Sequence, residues 1–178
     1  SRRNRAAPQW CPLTSRRPAT TPDVTRPPPP GSAERRDGGG VLNRLFEKEE
    51  FATLVREPAP LASREDIIRV HPADYVDALA EANPTEGLVR IDGDTVLSPG
   101  TGEAISRGVG GSVLAVGGGV AGEVANAFVS MRPPGHQAET RTPLGFVLYN
   151  TAANGARHPP QGAGNGRRLT RRFDRRHR

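Results

Sequence analysis

Met131–Asn150 reads MRPPGHQAETRTPLGFVLYN, and this stretch decides how the rest of the chain is understood. Proline locks φ and has no N–H for a ladder, so Arg132-Pro133-Pro134 stops the apolar strand predicted over Ala127–Met131. Gly135 lets the chain turn tightly and come close to a ligand. His136 is then held at the C-terminal edge of a strand, which is where open α/β sheets place ligands. The alternative is a turn with an incidental surface histidine. On spacing alone both remain open, because short motifs match by chance.

Working outward, Ile105, Val109, Val113, Val116 and Val120 recur at helical spacing after Ser98-Pro99, which predicts a helix capped by the serine with proline at its first position. Six glycines interrupt residues 103–120. At about 1 kcal/mol each relative to alanine, they cost roughly what a whole domain has to spare, so tertiary packing must prop this helix or it does not form. Further upstream, Val41, Leu42, Leu45 and Phe46 make an apolar helical stripe, and Ser63 with Asp66 caps a short helix. Pro72 suits a first helical turn, Tyr75, Val76 and Leu79 form one apolar face, and Asn83-Pro84 ends that helix. Leu88–Ile91 reads as a short strand before the turn Asp92-Gly93-Asp94. Phe146–Leu148 reads as extended, and Asn150 or Thr151 caps a helix running to Arg157. Helices alternating with short strands predict an α/β fold with a parallel sheet.

The flanks are different in kind. Residues 1–40 hold eight arginines and three acids, and residues 157–178 eight arginines and one acid, whereas 41–156 are acidic overall despite a net charge of +6 for the chain. The basic character therefore belongs to the ends. We expect disorder over 1–40, which is rich in Arg and Pro, and over the basic tail 159–178, with a folded part at 41–158. A basic interaction protein that binds nucleic acid through these clusters is a rival reading. The 4% aromatic content leaves few rings to stack bases, and solvated charged flanks account for the arginines without a nucleic-acid partner. The lone Cys11 cannot form an internal disulfide, which points to a reducing, cytoplasmic setting. No apolar run approaches the ~20 residues of a membrane span, and no secretory h-region follows the N-terminal arginines, so no membrane partner is expected. Gly117, Gly119 and Gly122 match G-x-G-x-x-G, but the few residues before Ala127 leave no room for the crossover helix of a dinucleotide site.

Several separate motifs occur together in one order. Arg132-Pro133-Pro134-Gly135-His136, Ala138-Glu139, Pro143-Leu144-Gly145-Phe146 and Asn150 resemble the histone deacetylase / acetylpolyamine amidohydrolase family, whose pattern here is R-P-P-G-H-H-A-E, then Gly-Phe-Cys, then paired asparagines. Val70-His71-Pro72-Ala73-Asp74-Tyr75-Val76 is similar to its V-H-P-x-x-Y-V/L stretch, and Gly93-Asp94-Thr95 through Ser98-Pro99-Gly100 to its D-T-x-x-S-P-G segment. Glu34-Arg35 is a fainter echo of its early P-E-R-P-x-R motif.

The resemblance implies an arginase/deacetylase-like three-layer sandwich around a mainly parallel sheet, incomplete in this chain. It also implies a Zn2+-dependent hydrolase acting on acetyl-lysine peptides or acetylpolyamines. The carried-over catalytic positions are His136 and Gln137, and the carried-over substrate-binding positions are Asp94 at the pocket rim with Gly145 and Phe146 lining the acyl tunnel.

The departures bear on chemistry. Gln137 stands where the family has its proton-transferring histidine, and an amide neither accepts nor donates a proton near neutral pH. Val147 replaces the cysteine and Thr151 an asparagine. The family's metal ligands, an Asp-x-His stretch and a later Asp, have no counterpart, and Asp174 with His177 lie wrongly spaced among arginines. No metal-ligand set is therefore assigned, and His71 and His158 are read as a helix-start residue and a boundary residue. The run from Arg167 to Phe173 stands where the family has a buried strand, yet unpaired buried charge is too costly for a core strand. The expectation is a reading frame that slips near His158, checked by looking for Asp-x-His in the other frames of the coding DNA. The chain is thus expected to be a catalytically incomplete member of the family, the alternative being a non-catalytic acyl-lysine binder.

Overall fold

The computed structural model of the chain describes residues 11–14, 44–93 and 95–158. Three short strands form a parallel sheet in the order β2-β1-β5, with β1 at Cys11–Thr14, β2 at Glu57–Pro58 and β5 at Ala127–Ser130. Cys11 pairs with Ala127 and Thr14 with Ser130 along β5, while Leu13 and Thr14 pair with Glu57 and Pro58. Within the segment 1–40 expected to be disordered, Cys11–Thr14 is described as a strand, paired with β5 along all four residues and with β2 at Leu13 and Thr14. The rest of 1–40 and the tail 159–178 lie outside the described residues. β3 (Val89–Arg90) and β4 (Val96–Leu97) make a separate antiparallel hairpin. Its turn is closed by the Ile91 amide on the Thr95 carbonyl and by the Thr95 amide on the Asp92 carboxylate, at 2.9 and 2.7 Å.

The short helix α1 (Arg64–Ile68) begins as its sequence predicts, with the Ser63 hydroxyl accepting from the Asp66 amide. Pro72 precedes α2 (Ala73–Ala82) as its N-cap, and Asn83 ends it. Val76 and Leu79 turn inward to meet Ile67, Leu97, Ile105, Val109, Leu148 and Tyr149 in the core. The apolar stripe at 41–46 is described only from residue 44, and Phe46 lies edge-on to both Phe51 and Phe128, tying this segment to β5.

α3 runs unbroken from Thr101 to Ala121 despite its glycines, because several of them are sites of close approach. A Cβ on Gly110 would overlap the Pro60 carbonyl oxygen, and one on Gly111 would press on Ala59 and Val129. The helix starts two residues later than Ser98-Pro99 suggests. Gly100 at φ 87° is the N-cap, and the Ser98 amide donates instead to the Thr101 hydroxyl. α3 is also long and apolar enough, by length and composition, to cross a membrane, which corrects the expectation that no such run exists. Its face at Ile105, Gly108, Val109, Gly110 and Gly111 is buried by the residues around it, as the face of a core helix is. Gly117 and Gly119 lie inside this helix, which removes the strand–turn–helix geometry that a dinucleotide site needs. The last helix, α4 (Thr151–Arg157), packs along α3, with Gly155 against Ser112 and Val116.

Candidate active site

β5 delivers the chain to Met131, and the Arg132–Pro133 peptide that follows is cis. Gly135 comes next, pressed so closely on the start of α4 that a Cβ would overlap Thr151. The Gly135 carbonyl accepts from the Thr151 hydroxyl at 2.9 Å and from the Ala152 amide at 3.1 Å. A glycine is required here by proximity, and the carbonyl satisfies an amide that a helix start otherwise leaves bare. His136 and Gln137 follow, both half-buried.

The loop then folds back on itself. Leu144 and Val147 exchange two backbone hydrogen bonds, at 3.0 and 3.1 Å, around Gly145 at φ 58° and Phe146 at φ 67°. Two left-handed residues at the centre of a four-residue turn define a type I′ turn. Phe146 is therefore not extended, as its apolar run suggests. A bulky residue at positive φ is held there by its surroundings, and such outliers gather at functional sites. The Gln137 side-chain oxygen lies where a Cβ on Gly145 would be. Thus His136, Gln137, Gly145 and Phe146 belong to one loop, and Gln137 and Gly145 touch. Asp94 lies outside the described residues.

What holds this loop is a set of residues read from sequence only as motif text. His71 is wholly buried, stacked on Tyr75 with ring centroids 5.3 Å apart and tilted against Tyr149 at 5.4 Å. Its Nδ1 lies 2.9 Å from the Thr140 carbonyl, and its Nε2 accepts from the Asn150 amide at 2.9 Å. Burial pushes its pKa below the ordinary imidazole value, against the opposing pull of the Thr140 carbonyl. The Tyr75 hydroxyl donates to the Leu148 carbonyl at 2.9 Å, and burial raises the pKa values of both Tyr75 and Tyr149. Asn150 caps α4 through its side-chain oxygen on the Ala153 amide and donates its side-chain N–H to the Ala138 carbonyl. Arg141 pairs with Asp74 at 2.7 Å, tying the loop to α2. The signal in the sequence was no more than His71 standing just ahead of the helix start, four positions before Tyr75. The reading of His71 as a helix-start residue gives its position, but not what it does.

Among the described residues no three of His, Cys, Asp and Glu come together as a metal site. His71 has both ring nitrogens committed to backbone groups, so it cannot serve as a ligand without breaking the loop. The described residues therefore do not fit the zinc that the resemblance implies.

The site is thus a strand ending in a Gly-His loop clamped to the helix that follows. The chain belongs to the histone deacetylase family: the model of the histone deacetylase domain matches residues 34–168. It is 33% identical over 134 residues to a histone deacetylase-like amidohydrolase of Pseudomonas aeruginosa, covering 73% of this chain and 34% of that protein. A protein of Archaeoglobus fulgidus named "Probable deacetylase" is 35% identical over 109 residues, covering 61% of this chain and 29% of that protein. The crystal structure of the HDA15 HD domain superposes with a TM-score of 0.68 at 23% identity, over 74% of this chain and 37% of that one, and so shares its fold. The chain spans about a third of the length of these two relatives.

Proposed function

We propose that this chain carries the acyl-amine-facing part of a deacetylase site and does not complete the reaction by itself. The reaction class is hydrolysis of the amide in acetyl-lysine or an acetylpolyamine, in the reducing cytoplasm. The observation that carries this reading is the Gln137 amide seated against Gly145. An amide there can hold a polar group by hydrogen bonding but cannot run general acid–base catalysis, a contribution of typically 10²–10⁴-fold. A hydrolytic zinc needs about three protein ligands and one open position, and the described residues supply no such set. The parallel strands and the shared fold support reading the described part as one portion of a three-layer sandwich around a parallel sheet.

The test uses the full chain, unaltered and as Gln137→His, supplied with zinc and offered an acetyl-lysine peptide and an acetylpolyamine. Metal content and acetate release are measured. We expect well under one zinc per chain and background hydrolysis in both forms, because restoring a base without a metal restores little. Chelator-sensitive turnover by the unaltered chain overturns the reading.

A second reading, a non-catalytic acyl-lysine binder, is favoured by the constrained Phe146 beside Gly145. It predicts tighter binding of an acetylated peptide than of its unacetylated twin, undiminished by chelator.

A further inference from the structure

We propose that His71 is a positioning residue of this site: a single imidazole that closes the base of the 140–150 loop and so holds Gly145 and Phe146 in place beside His136 and Gln137. The inference rests on reading that loop as the acyl-amine-facing wall, whereas its main test reads the loop directly.

Thr140 and Asn150 are the two ends of the loop, and His71 bonds to both, each at 2.9 Å. A carbonyl only accepts and a backbone N–H only donates. One tautomer satisfies both contacts: the neutral ring with its proton on Nδ1. Asn150 has little freedom to move without consequence. Its side chain caps α4 and bonds the Ala138 carbonyl, next to Gln137, and its own carbonyl accepts from both the amide and the side chain of Asn154. A shift at Asn150 is therefore passed to both the helix start and the segment that carries His136.

Among the described residues, none offers the ring a counter-charge. On the α2 side it meets the neutral Tyr75 phenol, and the nearby Asp74 carboxylate is taken up by Arg141 of the loop. On the other side it meets Tyr149, while Arg64 and Asp77, the charges acting on Tyr149, are paired with each other at 2.7 Å. A second proton, on Nε2, would point straight at the Asn150 N–H. Protonation of His71 thus opens the loop from its base.

Hydrogen exchange of the Asn150 amide, measured by NMR on the full chain, tests this. His71→Phe keeps a ring between the tyrosines but loses both hydrogen bonds. His71→Gln places a carbonyl oxygen near the Nε2 position. We expect exchange at Asn150 to speed up by about tenfold in the phenylalanine variant and to stay near the unaltered rate in the glutamine variant. In the unaltered chain, the imidazole nitrogens should report a proton on Nδ1, and the protection of the Asn150 amide, taken relative to the intrinsic exchange rate at each pH, should fall as pH drops below the ordinary histidine range. The glutamine variant should not respond to pH in this way. A merely space-filling histidine predicts that phenylalanine matches the unaltered chain and that protection at Asn150 does not change with pH, and this pattern overturns the proposal. Should neither variant fold, the tautomer and the pH response of the unaltered chain still decide. Acetyl-lysine peptide affinity, lost in His71→Phe and restored in His71→Gln, gives the functional readout. Amide exchange that follows expectation without any peptide binding supports the clamp and removes the site assignment instead.

Discussion

Gly145 shows how much one position can be asked to do. Its φ of 58° is a conformation that side chains resist, and a Cβ there would displace the Gln137 amide. Gly145→Ala should therefore cost about 1–2 kcal/mol for the left-handed backbone, and more if Gln137 cannot settle elsewhere. Urea denaturation measures the cost, and the side-chain amide resonances of Gln137 should move. If stability is unchanged and those resonances stay still, the contact does not exist. The motif Gly145-Phe146 was visible in the sequence, but the handedness of the turn was not. Nothing in a Phe-Val-Leu run signals that its first residue will sit at positive φ, since tertiary contacts impose that conformation. A cap at Asn150 or Thr151 was legible because capping is local, and the structure puts it on Asn150. His71 was legible only as a helix-start residue, because its partners, Thr140 and Asn150, lie some seventy to eighty positions away.

The glycines of α3 separate into two kinds, and substitution should sort them. Gly110 faces the Pro60 backbone, which cannot yield as a side chain can, and Gly110→Ala should destabilise by about 1–3 kcal/mol. Gly119 faces open space at an ordinary helical φ, and Gly119→Ala should stabilise by roughly 0.5–1 kcal/mol. Calorimetric midpoints moving in opposite directions would bear this out, and equal shifts would refute it. The period of Ile105, Val109, Val113, Val116 and Val120 marked the helix, but of these only Ile105 and Val109 are buried, and Val120 is exposed. Its start was misplaced because Ser98-Pro99 satisfies the local rule for a cap, yet the left-handed Gly100 sets the entry angle. That the helix forms at all follows from the close approach of residues 59–62, with the Ala62 amide on the Ser106 carbonyl at 3.2 Å and Arg107 donating to the Ala59 carbonyl at 2.8 Å.

The stability of the whole molecule should respond to pH in two steps. His71 is held neutral, its pKa depressed by burial below the ordinary imidazole value of 6.5. The unfolded chain takes up that proton first, so stability falls as pH drops through about 6.5 towards the folded-state value. The second step belongs to carboxylates. Burial alone would raise Asp66, but the Ser63 hydroxyl and the Arg69 guanidinium outweigh it and hold the group below the ordinary carboxylate value of 3.8. Asp74 is likewise lowered, chiefly by its hydrogen bond from Arg141. Their contributions are present above about pH 4 and are lost as pH falls through the folded-state values. Denaturation midpoints measured from neutral to acid pH should show both declines, and His71→Gln should remove the first alone. A single decline in the unaltered chain, confined to the carboxylate range, would remove His71 from the account.

Local chemistry settles what depends on neighbours in the chain. The cap at Ser63, a cap at Asn150 or Thr151, the stop at Asn83, a strand starting at Ala127 and the ordered motifs of the deacetylase family were all readable from the residues, since each needs only a few adjacent side chains or a familiar spacing. Tertiary structure decided what depends on distant partners. It placed Cys11–Thr14 between β2 and β5, turned a glycine-rich segment into an unbroken helix, and set a buried histidine to close the loop that bears Gly145 and Phe146. The physical reason is the same each time: a strand, a glycine or a buried imidazole is stable only when the groups that complete it arrive from elsewhere in the chain.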